Sequence, residues 1–347
     1  MNTESEARTK SSSPILDVLQ GQRPKRLPIW FMRQAGRILP EYRKLREGKS
    51  FLDLMRDPAL AAEVTLMPMK RFDVDAAILF TDLLTQILAN GNKVAFKPGP
   101  VLEWTLGPGE SVDRLRDIVD PRPLDVVAET VQRVRESLAP ERALLGFVGA
   151  PFTLGAYAIE GQGSRTWNRT RAAAWSHPDW FKELMDALVE PAIALGKLQF
   201  EKGCDGIQIF DSWAGVMEPG IFARLVLPAT RKLVQELKAH GIPVIYFVNG
   251  CAGHLESMVQ TGANCLGVDW RLSMKEIDGR LPKGLAIQGN LDPTALFGNM
   301  QTIYSEAEAV VEAAKNRPHI FNLGHGFDPK TPFESVQALV QHLRDFS

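Results

Sequence analysis

The sequence predicts a single eight-stranded parallel α/β barrel. Eight short apolar runs of strand length recur along its 347 residues. Several of these runs are continuously apolar rather than alternating, as suits parallel strands covered on both faces. Between them lie segments carrying helix start and stop signals. An open doubly wound sheet would need a glycine-rich phosphate turn after an early strand, and no GxGxxG stands there.

Taken in order, the chain opens with a polar tail, MNTESEARTKSSS (1–13), followed by one domain over 14–347. The strand candidates are PIWFM (28–32), DAAILF (75–80), ALLGFV (143–148), GIQIF (206–210), PVIYFV (243–248), CLGVDW (265–270), LAIQG (285–289) and HIFNLG (319–324). Asp57-Pro58 and Asp292-Pro293 each set an N-cap before a proline at the first helical position. Thr331-Pro332-Phe333-Glu334 has the spacing of a capping box. Long helical stretches over 179–202 and 221–240 end at Gly203 and Gly241. Pro191 should kink or divide the first of them. Strand spacing is wider early than late, so loops and helices beyond the basic barrel belong mainly in the first half.

Composition excludes several classes. Lys+Arg 40 against Asp+Glu 41 leaves a net charge of −1, so no bulk attraction draws the chain to nucleic acid or an anionic membrane. No run reaches the ~18 apolar residues of a membrane span, and the N-terminus lacks the apolar core of a secretory signal. Cys204, Cys251 and Cys265 lie in apolar stretches and read as reduced, buried thiols of a cytosolic protein. Zinc spacing (HExxH, CxxC, HxH) is absent, as is the GxSxG of serine nucleophiles, and no lysine stands at a strand end.

Barrel enzymes build their sites just beyond strand C-termini. That rule selects Arg33, Thr81-Asp82, Gly149-Ala150-Pro151, Asp211-Ser212, Asn249-Gly250, Asp269-Trp270, Gln288-Gly289-Asn290 and Gly324-His325-Gly326. The richest segment is MRQAGRILPEYRKLRE (32–47), with Arg33, Arg37, Arg43 and Arg46 close together. Guanidinium forks bind carboxylates and phosphates bidentately, so these arginines point to a multiply anionic ligand without naming the anion. Arg43 reads equally well as part of a solvated basic face. Asp82 is either the cap of a following helix or an acid, base or acceptor facing the ligand. His325, between two glycines that let backbone approach a ligand, is a general acid or a hydrogen-bonding wall.

From about Pro14 to Phe346 the chain resembles the uroporphyrinogen decarboxylase family. PIWFMRQAGRILPEYRKLRE resembles that family's N-terminal signature and GFVGAPFTLGAYAIEG (146–161) its second, while FTDLL, FDSWAG, NLDP and GHGFDPKTP agree in order and spacing. The resemblance implies a (β/α)8 barrel of the TIM type, a cytoplasmic homodimer, no metal and no organic cofactor. It implies conversion of uroporphyrinogen III to coproporphyrinogen III by loss of CO2 from four acetate arms. By motif it assigns Arg33, Arg37, Arg46, Asp82, Tyr157, Ser212 and His325 to the substrate, with Asp82 held amid the arginines as the central carboxylate and Arg37 beside it in catalysis. Corrinoid- or thiol-dependent methyltransferases share the barrel but hold zinc with His-x-Cys and a later Cys; here Asn249 stands two residues before Cys251. A tetrapyrrole carrier is a further alternative, which the match at Asp82 and the arginines disfavours.

Overall fold

The computed structural model describes residues 13–97 and 99–346. The expected tail thus lies outside the described residues apart from Ser13, which is buried just before a first helix, Pro14–Leu19. The strands are β1 (Ala76–Ile78), β2 (Val94–Phe96), β3 (Pro100–Leu102), β4 (Ala143–Gly149), β5 (Gly206–Asp211), β6 (Val244–Val248), β7 (Cys265–Val268), β8 (Ala286–Gln288) and β9 (His319–Ile320). Seven pair in parallel in the order β1-β4-β5-β6-β7-β8-β9, while β2 and β3 form a separate antiparallel hairpin.

The expected strand over 28–32 is reduced to one parallel bridge, Ile29 to Phe321. It still closes the barrel. Phe321 N–H donates to Pro28 O (2.9 Å) on one side, and Asp75 N–H donates to Ile29 O (2.7 Å) on the other. No ladder develops, because Pro28 has no N–H and, apart from Trp30 N–H, which reaches Phe321 O (3.3 Å), the N–H groups that follow go to side chains. Ile29 donates to Asp75 Oδ2 (2.7 Å), Phe31 to Gln34 Oε1 (3.0 Å) and Met32 to Asn322 Oδ1 (3.2 Å). All three acceptor side chains are fully buried.

Asp75 also anchors the seam electrostatically. It pairs with Arg26, Arg142 (3.3 Å) and Arg344 (2.6 Å), which bring together the segment before the seam, the start of β4 and the last helix, Phe333–Phe346. Asp73 shares the same three guanidinium groups. Inside the barrel, Ile15, Val18 and Leu19 of the first helix pack with Trp30, Ala76, Leu145, Ile245 and Ile320. Gly206 opens β5, and a Cβ there would lie 3.3 Å from Leu19 Cδ1. The helix therefore plugs the barrel at the N-terminal ends of its strands, leaving the opposite end for a site.

The extra structure falls in the first half, as expected: the β2–β3 hairpin and the helix Arg122–Ser137 precede β4, and four helices precede β5. Arg122–Ser137 buries Val127, Thr130, Val131 and Val134, one stripe at helical spacing, against Pro58–Leu66. Pro191 divides its stretch into Pro178–Ala187 and Val189–Lys202. Its ring would meet the carbonyl four residues back, and the first helix ends at that residue, Ala187. The second stretch is interrupted as well: a π-helical turn, Phe222–Val226, precedes Leu227–Ala239, and Pro228 supplies the same conflict. Asp57 caps as expected, accepting from Ala59 and Leu60 N–H, and Asp292 starts a 3₁₀ turn. The capping box at 331–334 does not form; the last helix begins at Phe333 and the Thr331 hydroxyl is buried without a partner.

Asp75→Ala should lower stability by about 3 kcal/mol, because it leaves the buried Ile29 N–H without an acceptor and three guanidinium groups with only the more exposed Asp73 to share. Urea unfolding measures this. A loss below about 1 kcal/mol would mean that the seam is held by the bridge alone.

Candidate active site

A cavity of about 640 Å³ opens at the C-terminal ends of the strands. One wall is the segment following the seam. Gln34 fixes it from beneath, donating Nε2–H to Ala76 O (2.8 Å) while accepting from Phe31. Arg33 adopts φ 61°, a left-handed conformation that is uncommon for a non-glycine residue. Arg43 does not reach the cavity; its Nη1 donates to Arg37 O (2.8 Å) and Ile38 O (3.3 Å), bracing the turn that carries Arg37. Arg46 donates to Tyr42 Oη (3.3 Å) at the cavity edge.

Six expected residues, Arg33, Arg37, Arg46, Asp82, Ser212 and His325, line this cavity. Tyr157 does not. It is buried behind the wall, edge-on to Trp167 (5.5 Å between ring centres) and Trp213 (6.4 Å), within electrostatic reach of both Asp82 and Arg33. Burial pushes its hydroxyl up to about 12, so it is a neutral donor at neutral pH.

Asp82 follows β1 and accepts from Leu84 N–H (2.8 Å), two residues on. The helix Thr85–Ala89 is capped instead at Leu84, so the capping alternative fails. Loss of water pushes the Asp82 carboxyl up to about 6, against the opposing pull of that N–H. Among the described residues no arginine or lysine forms an ion pair with it; Arg33, Arg37 and Arg46 share its cavity without clasping it. His325 is pushed down to about 4, first by burial and then by Arg33 and Arg271, so its imidazole is neutral at pH 7.

The apolar surface comes from phenylalanines. Phe80, Phe147 and Phe327 line the cavity, whereas Trp30, Phe31 and Phe152 are core. Sequence reading missed Phe210 and Phe247, which pair in register on β5 and β6 and meet edge to face at 5.8 Å. Their positions at inward-facing strand ends were the available signal. Phe51 and Phe96 join the helix Phe51–Arg56 and the hairpin to the wall at 5.0 Å.

Two nearby acids belong to the frame. Asp211 accepts from Thr153 Oγ1 (2.8 Å) and Tyr246 Oη (2.9 Å); burial still pushes it up to about 6. Asp269 accepts from the Cys251 thiol (3.0 Å) and pairs with Arg271. Burial and that carboxylate push the Cys251 thiol up, so it is not a ready thiolate. Among the described residues no group of three or more His, Cys, Asp or Glu side chains is arranged to hold a metal.

A closed α/β barrel whose cavity, at the C-terminal ends of its strands, is lined by three guanidinium groups, several phenylalanine rings and a desolvated carboxylate has the architecture of a barrel enzyme. Residues 10–346 match the Uroporphyrinogen decarboxylase (URO-D) family model. The chain is 40% identical over 327 residues to the uroporphyrinogen decarboxylase of Syntrophotalea carbinolica, covering 94% of this chain and 95% of that one. It is 42% identical over 339 residues to that of Rhizorhabdus wittichii, covering 95% and 97%. A methyltransferase from Methanosarcina mazei shares the fold, with TM-score 0.79 and 21% identity over 96% of this chain and 98% of that one. The chain belongs to the uroporphyrinogen decarboxylase family and is an enzyme of the carboxy-lyase class.

The Asp82 shift has a stability sign. Its folded value of about 6 exceeds the ordinary 3.8, so the stability present below about pH 4 is lost as pH rises through 6. Asp82→Asn should therefore be more stable than the parent by about 2 kcal/mol at pH 7.5 after discounting for partial exposure. The gain should shrink between pH 6 and 4, and comparing the two proteins cancels the similar titration of Asp211. Denaturant titrations across this range that show no gain at pH 7.5 would refute the desolvated carboxylate.

Proposed function

We propose that this chain decarboxylates the four acetate arms of uroporphyrinogen III, giving coproporphyrinogen III, with Asp82 as the central catalytic carboxylate. The observation that carries this reading is an Asp82 carboxylate without a cation, in the same cavity as Arg33, Arg37 and Arg46. The substrate carries eight carboxylates, and each charge-assisted bond to a guanidinium contributes roughly 1.5–3 kcal/mol. Loss of CO2 directly from an acetate arm would leave negative charge beside an electron-rich pyrrole. Protonating that pyrrole at its α-carbon first makes the ring cationic, and the ring then receives the electron pair of the breaking C–C bond. The resulting exocyclic methylene takes a proton to become a methyl group, and the α-carbon then gives up the proton it had gained, which restores the pyrrole and leaves one net proton taken up for each CO2 lost.

Asp82 suits this sequence energetically. In the empty cavity its ionised form is costly. It accepts pyrrole N–H bonds from the bound substrate, and when the ring becomes cationic the new charge pair lowers the energy of both. An interaction stronger at the cation than at the neutral substrate is what accelerates a step. Arg37 holds the departing carboxylate or takes part in proton transfer. Ser212 and neutral His325 bind carboxylates, and Tyr157 acts on Arg33 and Asp82 from behind. No step calls on a metal or organic cofactor, since the protonated ring is the electron sink. We take the enzyme to act as a homodimer in the cytoplasm, on its family resemblance; among the described residues no helix is long and apolar enough to cross a membrane.

Anaerobic incubation with reduced uroporphyrinogen III, followed by oxidation and counting of carboxylates, should give a four-carboxylate product; recovery of eight-carboxylate porphyrin alone would overturn the reading. Asp82→Asn should lower kcat at least a hundredfold with little change in KM. Arg37→Ala should lower kcat at saturating substrate, whereas an effect confined to KM would make Arg37 a binding group only. Sedimentation equilibrium should return twice the 38.5 kDa chain mass.

A further inference from the structure

The glycines flanking His325 suggested a close approach of ligand to backbone, but the structure gives them another use. Neither Gly324 nor Gly326 has a left-handed φ, so the backbone itself would admit a side chain at both. Space does not. A Cβ at Gly324 would lie 2.5 Å from Trp270 N. One at Gly326 would lie 2.4 Å from Arg33 Cδ, 2.5 Å from Arg33 Cγ and 3.0 Å from Arg33 Nε.

We propose that Gly326 is a positioning residue: the absent side chain leaves a notch for the stem of Arg33, and this notch aims the Arg33 guanidinium into the cavity. Both sides of the notch are fixed. Phe327 N–H donates to Met32 O (3.4 Å) and Met32 N–H to Asn322 Oδ1, so the loop bearing Gly326 is tied to the segment bearing Arg33. Arg33 itself holds φ 61°, and the adjoining Gln34 is anchored to Phe31 N–H and Ala76 O, which limits retreat of its backbone. A methyl at 326 must therefore displace the arginine side chain, and the guanidinium with it. Arg33 senses its seat: burial holds it below the usual arginine range, and Arg37 adds to that lowering.

The inference rests on the reading of Arg33 as a ligand for substrate carboxylates, and a four-protein cycle separates the two. Parent, Gly326→Ala, Arg33→Ala and the double variant are compared for KM, kcat and Tm with uroporphyrinogen. Gly326→Ala should raise KM about tenfold while kcat changes by less than about threefold, the pattern of a misplaced binding group. In the Arg33→Ala background the same change should leave KM within about twofold. There Tm should rise by about 1–2 °C, since alanine at a permitted φ restricts the unfolded chain. An equal KM effect in both backgrounds, or none in the parent, overturns the notch. If Arg33→Ala alone leaves KM unchanged, the reading of Arg33 fails and takes the notch with it. Should Gly326→Ala fail to fold, recovery of folding in the double variant supports the proposal, and failure of both overturns it.

Discussion

The barrel depends on how its seam is closed. Along β4 to β9 neighbouring backbones satisfy one another, but at 28–32 a buried carboxylate and two buried amides accept the N–H groups that a strand would have engaged. Buried backbone donors must be paired somewhere, so Asp75, Gln34 and Asn322 are as necessary to this barrel as any strand. Asp75 adds a charge that draws in three guanidinium groups, and its removal would undo both functions together. The same side chains aim the segment that follows, since Gln34 lies between Arg33 and Arg37. Closure of the fold and construction of the wall that carries Arg33 and Arg37 are one set of contacts.

The site spends stability. Ionised Asp82 and Asp211 are both held well above the ordinary carboxyl range by burial, and Arg33 sits in a backbone conformation few side chains choose. Asp211 is partly relieved by two hydroxyl donors, while Asp82 has one N–H and otherwise faces the cavity. The difference separates a framework acid, whose partners are built in, from one that the proposed function pairs with a partner brought by the ligand. Such unfavourable terms persist at functional sites because the surrounding packing holds them in place.

Much of this could be read from sequence because it is local. Apolar runs of strand length located each strand of the seven-stranded parallel sheet to within a few residues but not the β2–β3 hairpin, and the residues at or near their ends supplied five of the seven expected site positions, Arg46 and Tyr157 coming from the family motifs alone. The break at Ala187 followed from Pro191 alone. What could not be read depends on distant partners. Whether 28–32 forms a ladder is decided by Asp75 and Asn322, far along the chain. Whether Tyr157 faces the cavity depends on how the helix Pro151–Glu160 is rotated by Thr153 against Asp211. That the arginines share a cavity with Asp82 without touching it is a matter of side-chain reach. The Thr331 cap failed for a related reason: the motif was present, but the helix started one residue too late to use it.

The arginines lie on a single wall and Asp82 is a single group. On the role proposed for Asp82, a macrocycle with four reactive arms meets a workstation with one position, and must be indexed round it, either by turning in place or by departing and docking again. Because neighbouring arms bear the same kind of charge, each new orientation exchanges like contacts for like. Turnover through the series is then governed less by four distinct chemistries than by how readily one ring is re-presented to one tool.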